Sequence, residues 1–328
     1  MKSYIQYITT NSALNDILCT YPMQSGGSFM NTEDKIIRMT DIIAAFVNFT
    51  SKKLPDDIYA KLEELRASET QPMARAMYDT MLRNLELALE LGRPMCQDTG
   101  IMQFWVKCGS AFPLLGDVEK ILTDAVLKAT ESAPLRPNAV ETFEERNTGT
   151  NTGTGVPTIW WDIVSGWDGC EIYTYHAGGG SSLPGQATVL MPSQGYEAIP
   201  RYVLDRLTEY GPNACPPLIV GIGLGNSVET AALNSKKALM RPVGSHNPDA
   251  KAAAMERMLE DSINAIGFAP HGIGGDHSVY GVNIENTCRH PASFAVAMNV
   301  GCWCHRRGHI VFSSDLSYKV TSHSGFTF

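Results

Sequence analysis

Three cysteines of this 328-residue chain sit in short polar segments punctuated by glycine or proline. They are Cys96 in Pro-Met-Cys-Gln-Asp-Thr-Gly, Cys215 in Asn-Ala-Cys-Pro-Pro and Cys302 in Gly-Cys-Trp-Cys-His-Arg-Arg-Gly. A structural thiol behaves as a small hydrophobe and is normally flanked by others. A cysteine on a turn, beside an acid or arginines, has the setting of a ligand or nucleophile instead. Three ligands far apart in sequence can hold an inorganic centre with one coordination position open. Zinc ligands commonly come in closely spaced pairs such as Cys-x2-Cys, whereas Cys302 and Cys304 are only two apart, poor geometry for one ion. Long spacings suit an iron–sulfur cluster better, because its iron corners are well separated. With three thiolates, one iron is left free to act as a Lewis acid.

Other residues near these cysteines carry matching chemistry. Asp98, two residues after Cys96, places a potential acid/base beside a candidate ligand. His290 precedes Cys302 by 12 residues, and Arg306 and Arg307 follow it. The arginines are expected to supply local positive charge for a carboxylate substrate, because the formal net charge of −8 otherwise repels anions. The same acidity argues against a nucleic-acid binder.

Two glycine-rich stretches are candidates for backbone approach to a ligand or side chain. Ala177-Gly178-Gly179-Gly180 follows a strand, and three consecutive glycines suggest close approach by the backbone. Asn147 to Gly155, dense in Gly and hydroxyls, reads as a surface loop, with an anion cradle as the alternative. Gly221-Ile222-Gly223-Leu224-Gly225 has the wrong glycine spacing for a dinucleotide site and reads as a tight strand–helix turn.

The elements that must position these residues come from periodicity. Residues 1–30 read as a flexible extension, and residues 31–328 as one catalytic domain, helical over 31–92 and mixed α/β over 93–328. Asn31 is the expected N-cap of a first helix with Ile36, Ile37, Met39, Ile42, Ile43 and Phe46 repeating at helical spacing. A second helix covers about Asp56–Ala67. A third runs from Pro72 to Gly92 with a Met73, Met77, Met81, Leu85, Leu89 stripe read as core. Strands are expected near 101–107, 158–164, 171–176, 188–191, 218–222, 279–284, 294–300 and 310–313. Helices are expected near 118–130, 199–210, 227–240 and 248–266, the last presenting Ala252, Met255, Met258 and Leu259. The fold class is therefore α/β (mixed α+β), a helical N-terminal layer on a mixed-sheet body. At 44% hydrophobic residues the chain can bury a substantial core. No run approaches the length of a membrane span. The first 30 residues carry no secretory pattern, and sparse cysteines suit a reducing cytoplasm.

These motifs, taken in order, resemble the class I, iron–sulfur-dependent fumarase/tartrate dehydratase hydro-lyases. The resemblance runs from about Asn31 to the end. It is carried by Cys-Gln-Asp-Thr-Gly at 96–100, Ala-Pro-Leu-Arg-Pro-Asn-Ala-Val at 133–140 and Asn-Thr-Gly-Thr-Asn-Thr-Gly-Thr-Gly-Val-Pro at 147–157. Ala-Gly-Gly-Gly at 177–180, Asn-Ala-Cys-Pro-Pro at 213–217, Arg-His-Pro at 289–291 and Gly-Cys-Trp-Cys-His-Arg-Arg-Gly at 301–308 continue it. The resemblance implies a [4Fe–4S] cluster on Cys96, Cys215 and Cys302, rather than Cys304 or Cys288. It implies a substrate pocket of Gln97, Asp98, Arg136 and Gly179, with Asp98 and His290 as an acid/base relay and a class I fumarase N-terminal-domain fold. The implied reaction is dehydration of a 2-hydroxy dicarboxylate. L(+)-tartrate, giving oxaloacetate, is the expected substrate, and malate/fumarate interconversion is the alternative. Because the chain ends at Phe328 without the family's second domain, the resemblance further implies an alpha subunit with a separate beta subunit, in an α2β2 heterotetramer. A non-catalytic metal-binding module is the remote alternative.

Overall fold

The first helix begins where its cap chemistry dictates. The Asn31 side chain accepts a hydrogen bond from the Asp34 N–H at 2.9 Å, and α1 then runs over Thr32–Lys52. The computed structural model describes residues 30–328, so the extension expected over the first 30 residues falls almost wholly outside them. After α1 come α2 (Asp56–Ser68) and α3 (Pro72–Glu90), then β1 (Ile101–Gly109) and α4 (Val118–Ser132). Next are the short β2 (Val140–Glu141) and β3 (Arg146–Asn147), β4 (Thr158–Val164), β5 (Cys170–Ala177) and β6 (Gln186–Leu190). The chain continues through α5 (Ala198–Tyr210), β7 (Leu218–Gly225), α6 (Val228–Met240) and α7 (Ala250–Ile266). It closes with β8 (Val279–Asn286), β9 (Phe294–Gly301), β10 (Arg307–Phe312) and β11 (Tyr318–Val320).

Two mixed sheets carry the body, as expected. One has the order β11-β10-β5-β1-β4, the other β6-β9-β7-β8. Among the described residues, only β1–β4 and β7–β8 are parallel pairs. The apolar face of α1 and α4 (Ile42, Phe46, Ile121, Val126) covers the first sheet through Phe104, Val106, Ile172 and Ile310. Ile199 and Val203 of α5 and Leu259 and Ile263 of α7 cover the second sheet. A third apolar group joins α2 and α3 to Met95, Tyr280, Trp303 and Cys304, with Cys96 and Cys302 packed against it. Thus the helical N-terminal layer ends directly on the cysteine-bearing turns.

Four patterns came out differently from their sequence reading. In α1, Ile37 of the expected apolar repeat is exposed, because it lies off the face that carries Met39, Ile42, Ile43 and Phe46. In α3 the buried face is Ala74, Tyr78, Met81, Leu85 and Ala88, whereas Met73 and Leu89 of the expected stripe are exposed. In α7 the buried face is Ala253, Glu256, Leu259 and Ile263, and Met258 faces solvent. The buried carboxylate of Glu256, paired with Arg241 at 2.9 Å, sets that rotation. The glycines at 221, 223 and 225 belong to β7 itself. A β-carbon on Gly223 would lie 1.9 Å from the Ala231 carbonyl oxygen, so these glycines admit the backbone of α6 against the strand.

Candidate active site

Strand register brings the polar turns together. Ile101 pairs with Ala177, so the turn before β1 lies beside the glycines after β5. Ile219 pairs with Gly301, so the turn before β7 lies beside the turn after β9. Arg307 pairs with Tyr175, and the His176 N–H donates to the Arg306 carbonyl at 3.0 Å, which sets the third turn against the end of β5. Residues 96–100, 178–180, 215 and 302–306 therefore occupy adjacent strand ends. The Trp303 N–H also donates to the Cys215 carbonyl at 2.9 Å. Cys215 lies in the left-handed region, φ 56°, on the turn before β7.

Cys215 is exposed, Cys96 and Cys302 are half-buried, and Cys304 is buried. Hydrogen bonding from the neighbouring Cys304 thiol, helped by the Arg306 guanidinium, outweighs burial and brings the Cys96 thiol down to about 6. Burial pushes Cys302 up to about 11 and also raises Cys215. Cys288, by contrast, is exposed in the loop after β8. Among the described residues, no group of three or more His, Cys, Asp or Glu side chains is arranged to hold a metal ion.

Asp98 is held by backbone alone. Its Oδ1 accepts from the Gly100 N–H at 3.0 Å and its Oδ2 from the Gly179 N–H at 2.8 Å. A β-carbon at Gly178 would come within 3.0 Å of that Oδ2, so the glycine run is a cradle for the carboxylate. The N–H of Gly179 is thus spent on Asp98. Arg136 is exposed and its Nη1 reaches the Gln97 carbonyl at 3.4 Å; Gln97 is exposed beside it.

The segment bearing Arg136 is latched in place by residues the sequence reading passed over. Thr99 Oγ1 accepts from the Arg136 N–H at 3.0 Å. The side chain of Asn151, almost fully buried, accepts from the Asn138 N–H at 2.9 Å and donates to the Arg136 carbonyl at 3.0 Å. The Asn-Thr-Gly stretch is therefore anchored inward rather than being a plain surface loop. Asparagines in a glycine-rich run were the available signal, since their amides can fix backbone that lacks sheet partners.

His290 is exposed on the loop after β8. Its Nδ1 accepts from the Ala292 N–H at 3.1 Å, and none of its hydrogen bonds reaches Asp98 or the three cysteines. The two arginines differ from expectation more sharply. Arg306 is 1% exposed and Arg307 4% exposed, so neither presents a guanidinium to an entering carboxylate. Arg307, the first residue of β10, goes instead into an ion pair with Asp57.

Arg306 supplies the test of whether the residues suit a Cys-ligated cluster. Its Nε and Nη1 are buried without a hydrogen-bond partner. Burial opposes its charge, yet Cys304, Cys302, Cys96 and Asp98 together raise its pKa. An orphaned buried cation behind convergent thiols calls for an anionic occupant. Three cysteines from three separate turns with that cation behind them fit a thiolate-held cluster.

Buried histidines surround the same turns, and they make stability pH-dependent. Burial, then the Arg306 charge, pushes His176 down to about 3. Burial also takes His305 to about 3 and His323 to about 4. The unfolded chain protonates these rings near 6.5. Their folded pKa values are depressed, so the contribution is complete above about 6.5 and is lost as pH falls toward 4. Together the three groups oppose folding by up to about 4 kcal/mol per pH unit in that window. Urea midpoints of the metal-free chain should fall clearly between pH 7.5 and 5.5, and a flat profile would contradict the neutral-histidine assignment.

The model of the family described as Fumarate hydratase (Fumerase) matches residues 40–311 of this chain. The chain is 48% identical over 294 residues to the L(+)-tartrate dehydratase subunit alpha of Escherichia coli K12, covering 90% of this chain and 97% of that protein. The protein of the same description from Shigella sonnei matches equally. A putative L(+)-tartrate dehydratase subunit alpha from Methanocaldococcus jannaschii is 33% identical over 275 residues, 83% of this chain and 96% of that one.

Proposed function

This chain belongs to the fumarate hydratase (Fumerase) family of hydro-lyases, and from that premise we propose that it is the alpha subunit of a [4Fe–4S]-dependent dehydratase converting L(+)-tartrate to oxaloacetate. The observation that carries the cluster assignment is the convergence of Cys96, Cys215 and Cys302 at adjacent strand ends before the unpartnered Arg306. The 48% identity to proteins described as L(+)-tartrate dehydratase subunit alpha favours tartrate and a separate beta chain. A cytoplasmic, α2β2 assembly accompanies that reading.

Cys96, Cys215 and Cys302 would hold the cluster. When bound, it supplies a Lewis acid that polarises the C–O bond of the leaving hydroxyl. Asp98 is the proton-transfer group, its carboxylate aimed by the Gly100 and Gly179 amides and its remaining lone pairs free for a proton. His290 Nδ1 accepts from the Ala292 N–H, which leaves Nε2 as the ring nitrogen available for proton exchange. Arg136 and Gln97 take a substrate carboxylate, with Arg136 oriented by its latch to Thr99 and Asn151. Loss of water from tartrate leaves an enol that tautomerises to oxaloacetate. The beta subunit supplies the remaining substrate contacts.

Anaerobic reconstitution with the beta chain, followed by iron and sulfide analysis and assays on L-tartrate, D-tartrate, malate and fumarate, tests this. Bound iron and sulfide with L-tartrate turnover is expected. No iron or sulfide uptake would sink the cluster assignment. Turnover of malate but not tartrate would move the activity to fumarase, the reading that the family description favours.

A further inference from the structure

We propose that Arg306 is a positioning residue for the cluster, a buried counter-charge that sets its reduction potential and retention, and takes no part in binding the substrate. The inference rests on the cluster reading above. Among the described residues Arg306 has the largest of the fully buried side chains, at 1% exposure. A buried guanidinium without partners is strongly disfavoured unless an anion answers it. Here Nε and Nη1 have no hydrogen-bond partner, and the groups facing the guanidinium are the Cys304, Cys302 and Cys96 sulfurs and the Asp98 carboxylate. No salt bridge involves Arg306 among the described residues, whereas Arg307 is matched to Asp57.

Placement is fixed by backbone rather than by the side chain. The Arg306 carbonyl accepts from the His176 N–H at 3.0 Å, at the end of β5. His176 Nε2 in turn lies 2.9 Å from Thr50 Oγ1 on α1, and its Nδ1 lies 3.3 Å from the Thr99 carbonyl. The backbone that carries the guanidinium is therefore tied to a network that also reaches Thr99 on the Cys96 turn. A fixed cation beside a redox group favours the state with more electrons, and hydrogen bonds and charge near the sulfurs tune such centres. Because the group is enclosed, its removal should leave substrate affinity alone.

Arg306→Gln and Arg306→Lys, each reconstituted with the beta chain beside wild type, test the proposal through iron and sulfide per chain, midpoint potential and the KM–kcat split. Arg306→Gln should shift the potential negative and lose iron several-fold faster in air. Arg306→Lys should restore part of both, with KM for L-tartrate within about twofold of wild type in cluster-loaded protein. A large rise in KM with an unchanged potential would make Arg306 a substrate ligand and overturn the proposal. Wild type labelled with 15N-guanidino arginine needs no variant to fold: its reduced cluster should show 15N hyperfine coupling in pulsed EPR, and absence of that coupling refutes the placement. If wild type itself takes up no iron or sulfide, the cluster reading fails and takes this inference with it. Loaded wild type and variants with identical potentials reject the inference alone.

Discussion

Asp98→Asn is expected to lower turnover about 100- to 10,000-fold while iron and sulfide per chain stay at the wild-type level. The carboxylate makes none of its hydrogen bonds to the thiols. It sits in a backbone cradle, one oxygen on the Gly100 N–H and the other on the Gly179 N–H. An amide has a single acceptor oxygen, so asparagine keeps one of those bonds and turns an NH2 toward the other donor. The side chain is thereby both unable to exchange a proton as a carboxylate does and slightly misaimed. The misaiming alone costs about 1–3 kcal/mol locally, the penalty of one unsatisfied donor. Urea midpoints measured with the kinetics separate that structural part from the chemical part. Near-normal turnover with a full cluster would remove Asp98 from the mechanism.

Glu256→Ala should destabilise the protein by about 2–6 kcal/mol, at about 1–3 kcal/mol for each of the two buried backbone donors it would leave unsatisfied. Glu256 is 1% exposed and its Oε1 accepts from the Ile284 N–H at 2.8 Å and Arg241 Nη1 at 2.9 Å. Its Oε2 accepts from the Asn247 N–H at 2.9 Å. One carboxylate thus ties α6's C-terminal arginine, the 241–249 connection, α7 and β8 together. Alanine would strand two backbone donors and leave Arg241 with Glu285, at 3.4 Å, as its remaining carboxylate partner. Glu256→Gln retains much of the hydrogen bonding and should lose clearly less. Denaturant midpoints of both variants check the ranking, and equal losses would mean that shape rather than charge matters there.

The helical layer and most strands were legible because their signals are local. Asn31 caps α1 as expected, Pro72 opens α3, and alternation or apolar runs mark β1, β7 and β9. What failed was the choice of face where charge intrudes. A period-3.6 reading of α7 chose methionines and could not weigh a glutamate whose partner lies 15 residues earlier. The 221–225 glycines look like a turn because glycine breaks structure locally. Their actual reason, a helix backbone pressed on β7, is a contact between elements.

The same division holds at the site. Residue types on turns marked Cys96, Cys215 and Cys302 as candidates, and Asp98 beside the first of them, because turn cysteines next to an acid are a local, chemical signal. Which side chains share a space depends on strand register, a long-range property: β1 with β5, and β7 with β9, bring the turns together. Burial is equally non-local. Two adjacent arginines look alike in sequence, yet the fold buries Arg306 among the thiols and pairs Arg307, at the start of β10, with Asp57. The chemistry this chain can attempt was written in its residue types; where each charge resides was decided only when the sheets paired.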